Sequence, residues 1–92
     1  MTYELILMPE AEKHLIEWKK SGQKKILRKI FDLFEELRFH PTTGTGQVEQ
    51  LKGDLVGFWS RRISKSERMI YNIENDKVIV NVVSLKGHYS DK

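Results

Sequence analysis

Ninety-two residues with 16 Lys and Arg against 13 Asp and Glu carry a formal net charge of +3, and with 39% hydrophobic residues against 32% charged neither disorder nor a membrane protein is the natural reading. The length suits one small domain, residues 1–92, which buries roughly 60–65% of its unfolded surface and so favours surface chemistry over a deep enclosed pocket. The absence of cysteine removes disulfide scaffolds, thiolate metal sites and thiol nucleophiles together.

A first strand is predicted from Tyr3 to Leu7, ending at Met8-Pro9. Pro9 suits the first turn of a helix, where its missing amide would have no partner, and Glu10 and Glu12 sit at the positive end of the helix dipole. Ala11, Leu15 and Trp18 recur at helical spacing, and Ser21-Gly22 should stop the helix. A second helix carries the apolar stripe Ile26, Ile30, Leu33, Phe34 and Leu37 and the basic face Lys24, Lys25, Arg28 and Lys29. It should end near His40-Pro41, because the residue before proline avoids the helical region.

Residues 41–47 are turn-rich and lack periodicity. Strand patterns follow at Val48–Leu51, Val56–Ile63, Arg68–Ile73 and Val78–Leu85, the last an almost continuous apolar run suited to a central strand. Between the final two, Asn75-Asp76 offers the positive φ of a tight hairpin. One strand, two helices and a run of strands joined by short connections predict an α+β fold, with both helices on one face of a mainly antiparallel sheet. No leader pattern and no apolar stretch near the ~18 residues of a membrane span is present, so a cytoplasmic protein without a membrane partner is expected.

In the strand predicted over Val56–Ile63, alternation puts Ser60 and Arg62 on one face and Trp59, Arg61 and Ile63 on the other. The Ser64–Ser66 connection then brings Arg68 near Arg62, with Glu49 and Lys52 as plausible neighbours. Gly87 would let the backbone bend so that His88 returns across the sheet. Together these groups would suffice to cleave RNA without a metal or cofactor: a carboxylate to take the 2′-hydroxyl proton, cations for the pentacoordinate phosphate, and an imidazole to protonate the leaving 5′-oxygen. On spacing alone, ordinary structural roles compete. Arg61 and Arg62 fit a solvated strand face better than a phosphate clamp, and Glu49 fits a surface acid. His14 and His40 fit helix-surface residues, and Trp18, Phe31, Phe34 and Phe58 fit a core. His88-Tyr89 stands close to the C-terminus, where fraying is ordinary.

The string GTGQVEQLK at residues 44–52, GFWSRRI at 57–63 and RMIY at 68–71 closely resemble the YoeB/Txe family of bacterial toxin–antitoxin toxins, and the likeness covers nearly the whole chain. The resemblance implies a RelE-type microbial ribonuclease fold and cleavage of mRNA in the ribosomal A site. It also implies neutralisation by an acidic antitoxin of the YefM/Axe kind, and leaves room for a homodimer. By position it makes Glu49 the general base, Arg68 the transition-state stabiliser and His88 the general acid. It likewise implies that Tyr89 helps shape the site and that Lys52 and Arg62 are basic residues of the same pocket. The chain departs from the family pattern in continuing past His-Tyr with Ser90-Asp91-Lys92, in having Gly87 where bulkier residues are common, and in having Val48 and Gln50 where prolines can flank the glutamate. A non-catalytic ribosome- or RNA-binding module and a gyrase-inhibiting toxin of the same superfamily are the alternatives, and the His-Tyr end speaks against the second.

Overall fold

A computed structural model describes residues 2–87. Strand β1 (Glu4–Leu7) leads into helices α1 (Pro9–Ser21) and α2 (Lys24–Phe39), followed by β2 (Glu49–Gln50), a 3-10 turn (Gly53–Leu55), β3 (Phe58–Arg62), β4 (Arg68–Glu74) and β5 (Ile79–Ser84). The five strands form one sheet in the order β1-β5-β4-β3-β2. Every pairing is antiparallel except that of β1 with β5. The α+β architecture predicted from the element order is therefore the one observed, with β5 in the interior of the sheet.

The helices begin and end for the reasons visible in the chain. Pro9 occupies the start of α1, with Glu10 and Glu12 in its first turn and Lys19 and Lys20 in its last, matching the macrodipole at both ends. The helix α2 stops at Phe39, and the His40 amide donates to the Glu36 carbonyl at 2.7 Å. Ala11 and Trp18 from α1, and Ile30, Leu33 and Leu37 from α2, are buried against Met69, Tyr71, Val80, Val82 and Leu85. Phe31 departs from its expected core place: it is 47% exposed, with its ring edge-on to Phe34 at 5.8 Å.

Three local expectations shift. The strand predicted from Val56 begins instead at Phe58, because residues 53–55 close a 3-10 turn and leave Val56 71% exposed. In the last hairpin the positive φ falls on Val78 (57°), not on Asn75 or Asp76. Successive turn bonds, Lys77 amide to Glu74 carbonyl and Val78 amide to Asn75 carbonyl, wind residues 75–77 in the right-handed sense. A left-handed residue is then needed to return the chain to β5. His14 is not a surface residue either: its Nδ1 accepts the Leu85 amide at 3.1 Å and its Nε2 meets Glu10 at 3.1 Å, which assigns the proton to Nε2.

The largest departure is Arg61, which is fully buried. Alternation along β3 turns it toward the helices, and there all five of its N–H donors find acceptors. Its Nε donates to the Tyr71 hydroxyl at 3.1 Å. Nη1 donates to Glu36 Oε1 at 2.8 Å and the Thr45 carbonyl at 3.3 Å, and Nη2 to the His40 and Thr43 carbonyls at 2.6 and 2.7 Å. Tyr71 passes its own proton to the Pro41 carbonyl at 2.8 Å. The turn-rich segment after α2 is thus wrapped around one guanidinium. Gly44 lies so close that a Cβ there would meet the Glu36 carboxylate and stand 2.9 Å from Arg61 Nη1, and its φ is +122°.

Partial burial by itself would raise the Glu36 carboxyl. Hydrogen bonds from the Thr45 hydroxyl and amide, together with the Arg61 charge and its hydrogen bond, instead hold it below its ordinary value of 4.5. A lowered carboxyl contributes stability that is complete above 4.5 and lost as pH falls through the lower folded value. Arg61→Met should cost about 3–5 kcal/mol, since it strands Glu36 and four buried or half-buried acceptors. Glu36→Gln should cost about 1–3 kcal/mol at neutral pH. Urea unfolding followed from pH 7 down to pH 3 should show the gap between wild type and Glu36→Gln narrowing below pH 4.5; a gap independent of pH would contradict the charged role. Gly44→Ala should lose about 1–3 kcal/mol in the same assay.

Candidate functional site

The helices cover one face of the sheet, and the other carries the polar residues singled out from the sequence. Register puts Glu49 opposite Ser60 and Arg62 opposite Arg68, so all four share the face away from α2. Two arginines directly across from each other repel, and each is drawn aside by different partners. Arg68 Nη1 donates to Glu49 Oε1 at 3.1 Å and to Ser60 Oγ at 3.2 Å. Arg62 leans the other way, donating from Nε to Gln47 Oε1 at 3.2 Å and from Nη1 to the Lys65 carbonyl at 3.0 Å.

The Glu49–Arg68 pair is open to water: the side chains are 58% and 22% exposed. Such a pair is weak, on the order of 0–1 kcal/mol, so a phosphate can replace the carboxylate on Arg68 at little cost. Ser60 is fully buried beside it and fixes one side of the guanidinium. Lys52 is exposed and precedes the 3-10 turn after β2. The structure therefore joins Glu49 and Arg68 in one contact, sets Arg62 in an adjoining groove, and leaves Lys52 on the rim. Ser60 was visible from alternation as sharing a face with Arg62, but nothing in its chemistry marked it as a partner of Arg68.

His88 and Tyr89 lie outside the described residues. The chain just before them is held at several points. Trp18 Nε1 donates to the Leu85 carbonyl at 2.9 Å, and His14 accepts the Leu85 amide. Lys86 reaches Glu17 at 2.7 Å with its ammonium 5.0 Å from the Trp18 ring centroid, and its hydrogen bond holds the Glu17 carboxyl below its ordinary value. The Gly87 amide donates to the Glu67 carboxylate, and the Gly87 carbonyl accepts the Arg68 amide at 2.8 Å. Gly87 has φ +75°, the bend expected of it. Its backbone is thereby fastened to that of Arg68.

Among the described residues, no group of three or more His, Asp or Glu side chains converges to hold a metal ion, and no helix is long and apolar enough to cross a membrane.

Residues 8–89 match the family described as the YoeB-like toxin of bacterial type II toxin-antitoxin systems. Toxin YoeB of Escherichia coli K12 is 34% identical over 86 residues, spanning 94% of this chain and 99% of that one. Among solved structures, a YoeB/ParE toxin from Agrobacterium tumefaciens superposes with a TM-score of 0.87 at 29% identity, covering 94% of this chain and 99% of that one. The Staphylococcus aureus YoeB, solved as a dimer and in a heterotetrameric complex with YefM, gives TM-scores of 0.80 and 0.79 at 28% and 27% identity, covering 97% of this chain and all of those. The RelE–RelB complex from Pyrococcus horikoshii shares the fold with a TM-score of 0.75 at 22% identity, covering 95% of this chain and 96% of that one. With the family pattern running from the end of β1 past Gly87 and the same sheet and helices beneath it, the chain belongs to the YoeB-like toxins of bacterial type II toxin-antitoxin systems.

Proposed function

We propose that this toxin is a ribosome-dependent endoribonuclease that cleaves mRNA in the A site by acid–base catalysis and so stops translation in the cytoplasm. The observation that carries the reading is the exposed Glu49–Arg68 contact at 3.1 Å on the uncovered sheet face. Incoming phosphate takes over the Arg68 guanidinium, which frees the Glu49 carboxylate to accept the proton of the adjacent ribose 2′-hydroxyl. The 2′-oxygen attacks phosphorus, and Arg68 stabilises the charge that gathers on the equatorial oxygens. The bond to the 5′-oxygen breaks, His88 supplies that oxygen with a proton, and the products are a 2′,3′-cyclic phosphate and a free 5′-hydroxyl. Tyr89 shapes the site around the leaving group, and Lys52 adds positive charge at the rim.

Support for the acid's position comes from the residue before it, because Gly87 is bonded through its carbonyl to the Arg68 amide. The small uncovered site suits a substrate held and bent by a larger partner, which supplies much of the orientation that an enclosed groove would otherwise provide. An acidic antitoxin of the YefM kind is the partner that silences it. The S. aureus complex and the net charge of +3 support this reading, and the S. aureus dimer supports self-association.

Purified ribosomes translating a defined message are the test. Wild type should produce cyclic-phosphate ends mapped by primer extension to A-site codons. Glu49→Gln and His88→Gln should each cut about 10²–10⁴-fold more slowly while still sedimenting with ribosomes. An intact message under conditions of translational arrest, or unchanged arrest by both variants, would replace the enzyme with a non-catalytic ribosome-binding protein.

A further inference from the structure

We propose that the groove between α2 and the β3–β4 connection is a second RNA-backbone subsite, which holds a phosphodiester flanking the one cut at Glu49 and Arg68. The inference rests on the function proposed above and assigns Arg62 a place apart from the scissile phosphate. The groove has a volume of about 490 Å³, and its lining includes Lys29 from α2, Gln47, Arg62 and Lys65, with no carboxylate residue among them. Among the described residues, none of the three cations forms an ion pair within 4.0 Å. Three uncompensated positive charges around one concavity repel one another, and an anion placed between them relieves that repulsion.

The arginine is also held in advance of any ligand. Among the described residues, its two side-chain hydrogen bonds go to neutral acceptors, Gln47 Oε1 and the Lys65 carbonyl, which fix the plane of the guanidinium without cancelling its charge. Gln47 makes that contact from a backbone φ of +53°, uncommon for a residue with a side chain. Because Arg62 and Arg68 are register partners, the groove adjoins the Glu49–Arg68 pair across neighbouring strands. A strand of RNA crossing Arg68 can therefore continue onto Arg62 and, by rounding the sheet edge at Gly46 and Gln47, onto Lys29 and Lys65. The groove's charge comes from long side chains and Ile63 is the one large apolar residue in its lining, as suits a polyanion contacted through its backbone.

The test uses ribosomes programmed with a message made uncleavable by a 2′-deoxy nucleotide at the attacked position, with single neutral methylphosphonate linkages introduced one at a time around it. Lys29→Gln and Lys65→Gln should each weaken toxin binding about 3–10-fold and reduce the slope of log K against log salt by about 0.7, with the urea midpoint unchanged. One methylphosphonate next to the cleavage position should weaken wild-type binding yet leave the Lys29→Gln/Lys65→Gln double variant unaffected. Additive losses at every linkage would overturn the subsite. So would a double variant that binds message normally but loses affinity for an acidic peptide, which would give the groove to a protein carboxylate. Binding is read on uncleavable RNA. Absence of cutting on ordinary message would therefore remove the proposed nuclease activity without imitating a failed subsite.

Discussion

A single buried guanidinium organises the part of the molecule that matters for its chemistry. Removing Arg61 from water would be prohibitive on its own, and it is tolerated because an acid on α2, a tyrosine on β4 and three carbonyls of the intervening loop together accept its five donors. The same contacts gather into one place segments that are far apart in the chain. The loop after α2 cannot drift without breaking several charge-assisted bonds, and the Gly46 carbonyl, at the end of that loop, in turn receives the Arg62 amide. The uncovered face of the sheet inherits its geometry from this inner anchor.

Two adjacent arginines thus do opposite things. Arg61 is neutralised and sealed under the helices, whereas Arg62 keeps its charge in an open groove. Strand alternation is the whole of the difference, since the side chains are chemically identical and one position apart. A shift of register by one position would exchange a buried scaffold arginine for a groove-facing one, so the sheet's pairing is under constraint from electrostatics as well as from the hydrophobic pattern.

Much of the fold was legible in the chain. Pro9, Ser21-Gly22 and His40-Pro41 bracket the two helices almost to the residue, and the apolar run around Val80 and Val82 marks the interior strand. The face shared by Ser60 and Arg62 also followed from period two. Burial of Arg61 did not, because alternation separates two faces without saying which one the helices cover, and its acid stands 25 residues away. Nor did the left-handed Val78, since β-branched residues disfavour that conformation and only the winding of the preceding turn requires it there. The pairing of Glu49 with Arg68 was foreseeable as nearness. The drift of Arg62 toward Gln47 was not, because it depends on a glutamine held by an unusual backbone angle.

The pairing of β1 with β5 has a consequence for the order in which the protein comes into being. Strand β1 can find its neighbour only after about seventy further residues have been synthesised, since Glu4 lies opposite Ile79. The indole of Trp18 likewise waits for the Leu85 carbonyl. Contacts of such long sequence separation form late and slowly. Until β5 is made, β1 has no strand to pair with and the Trp18 indole no carbonyl to bond, so the sheet and the helix that covers it close in a single late step.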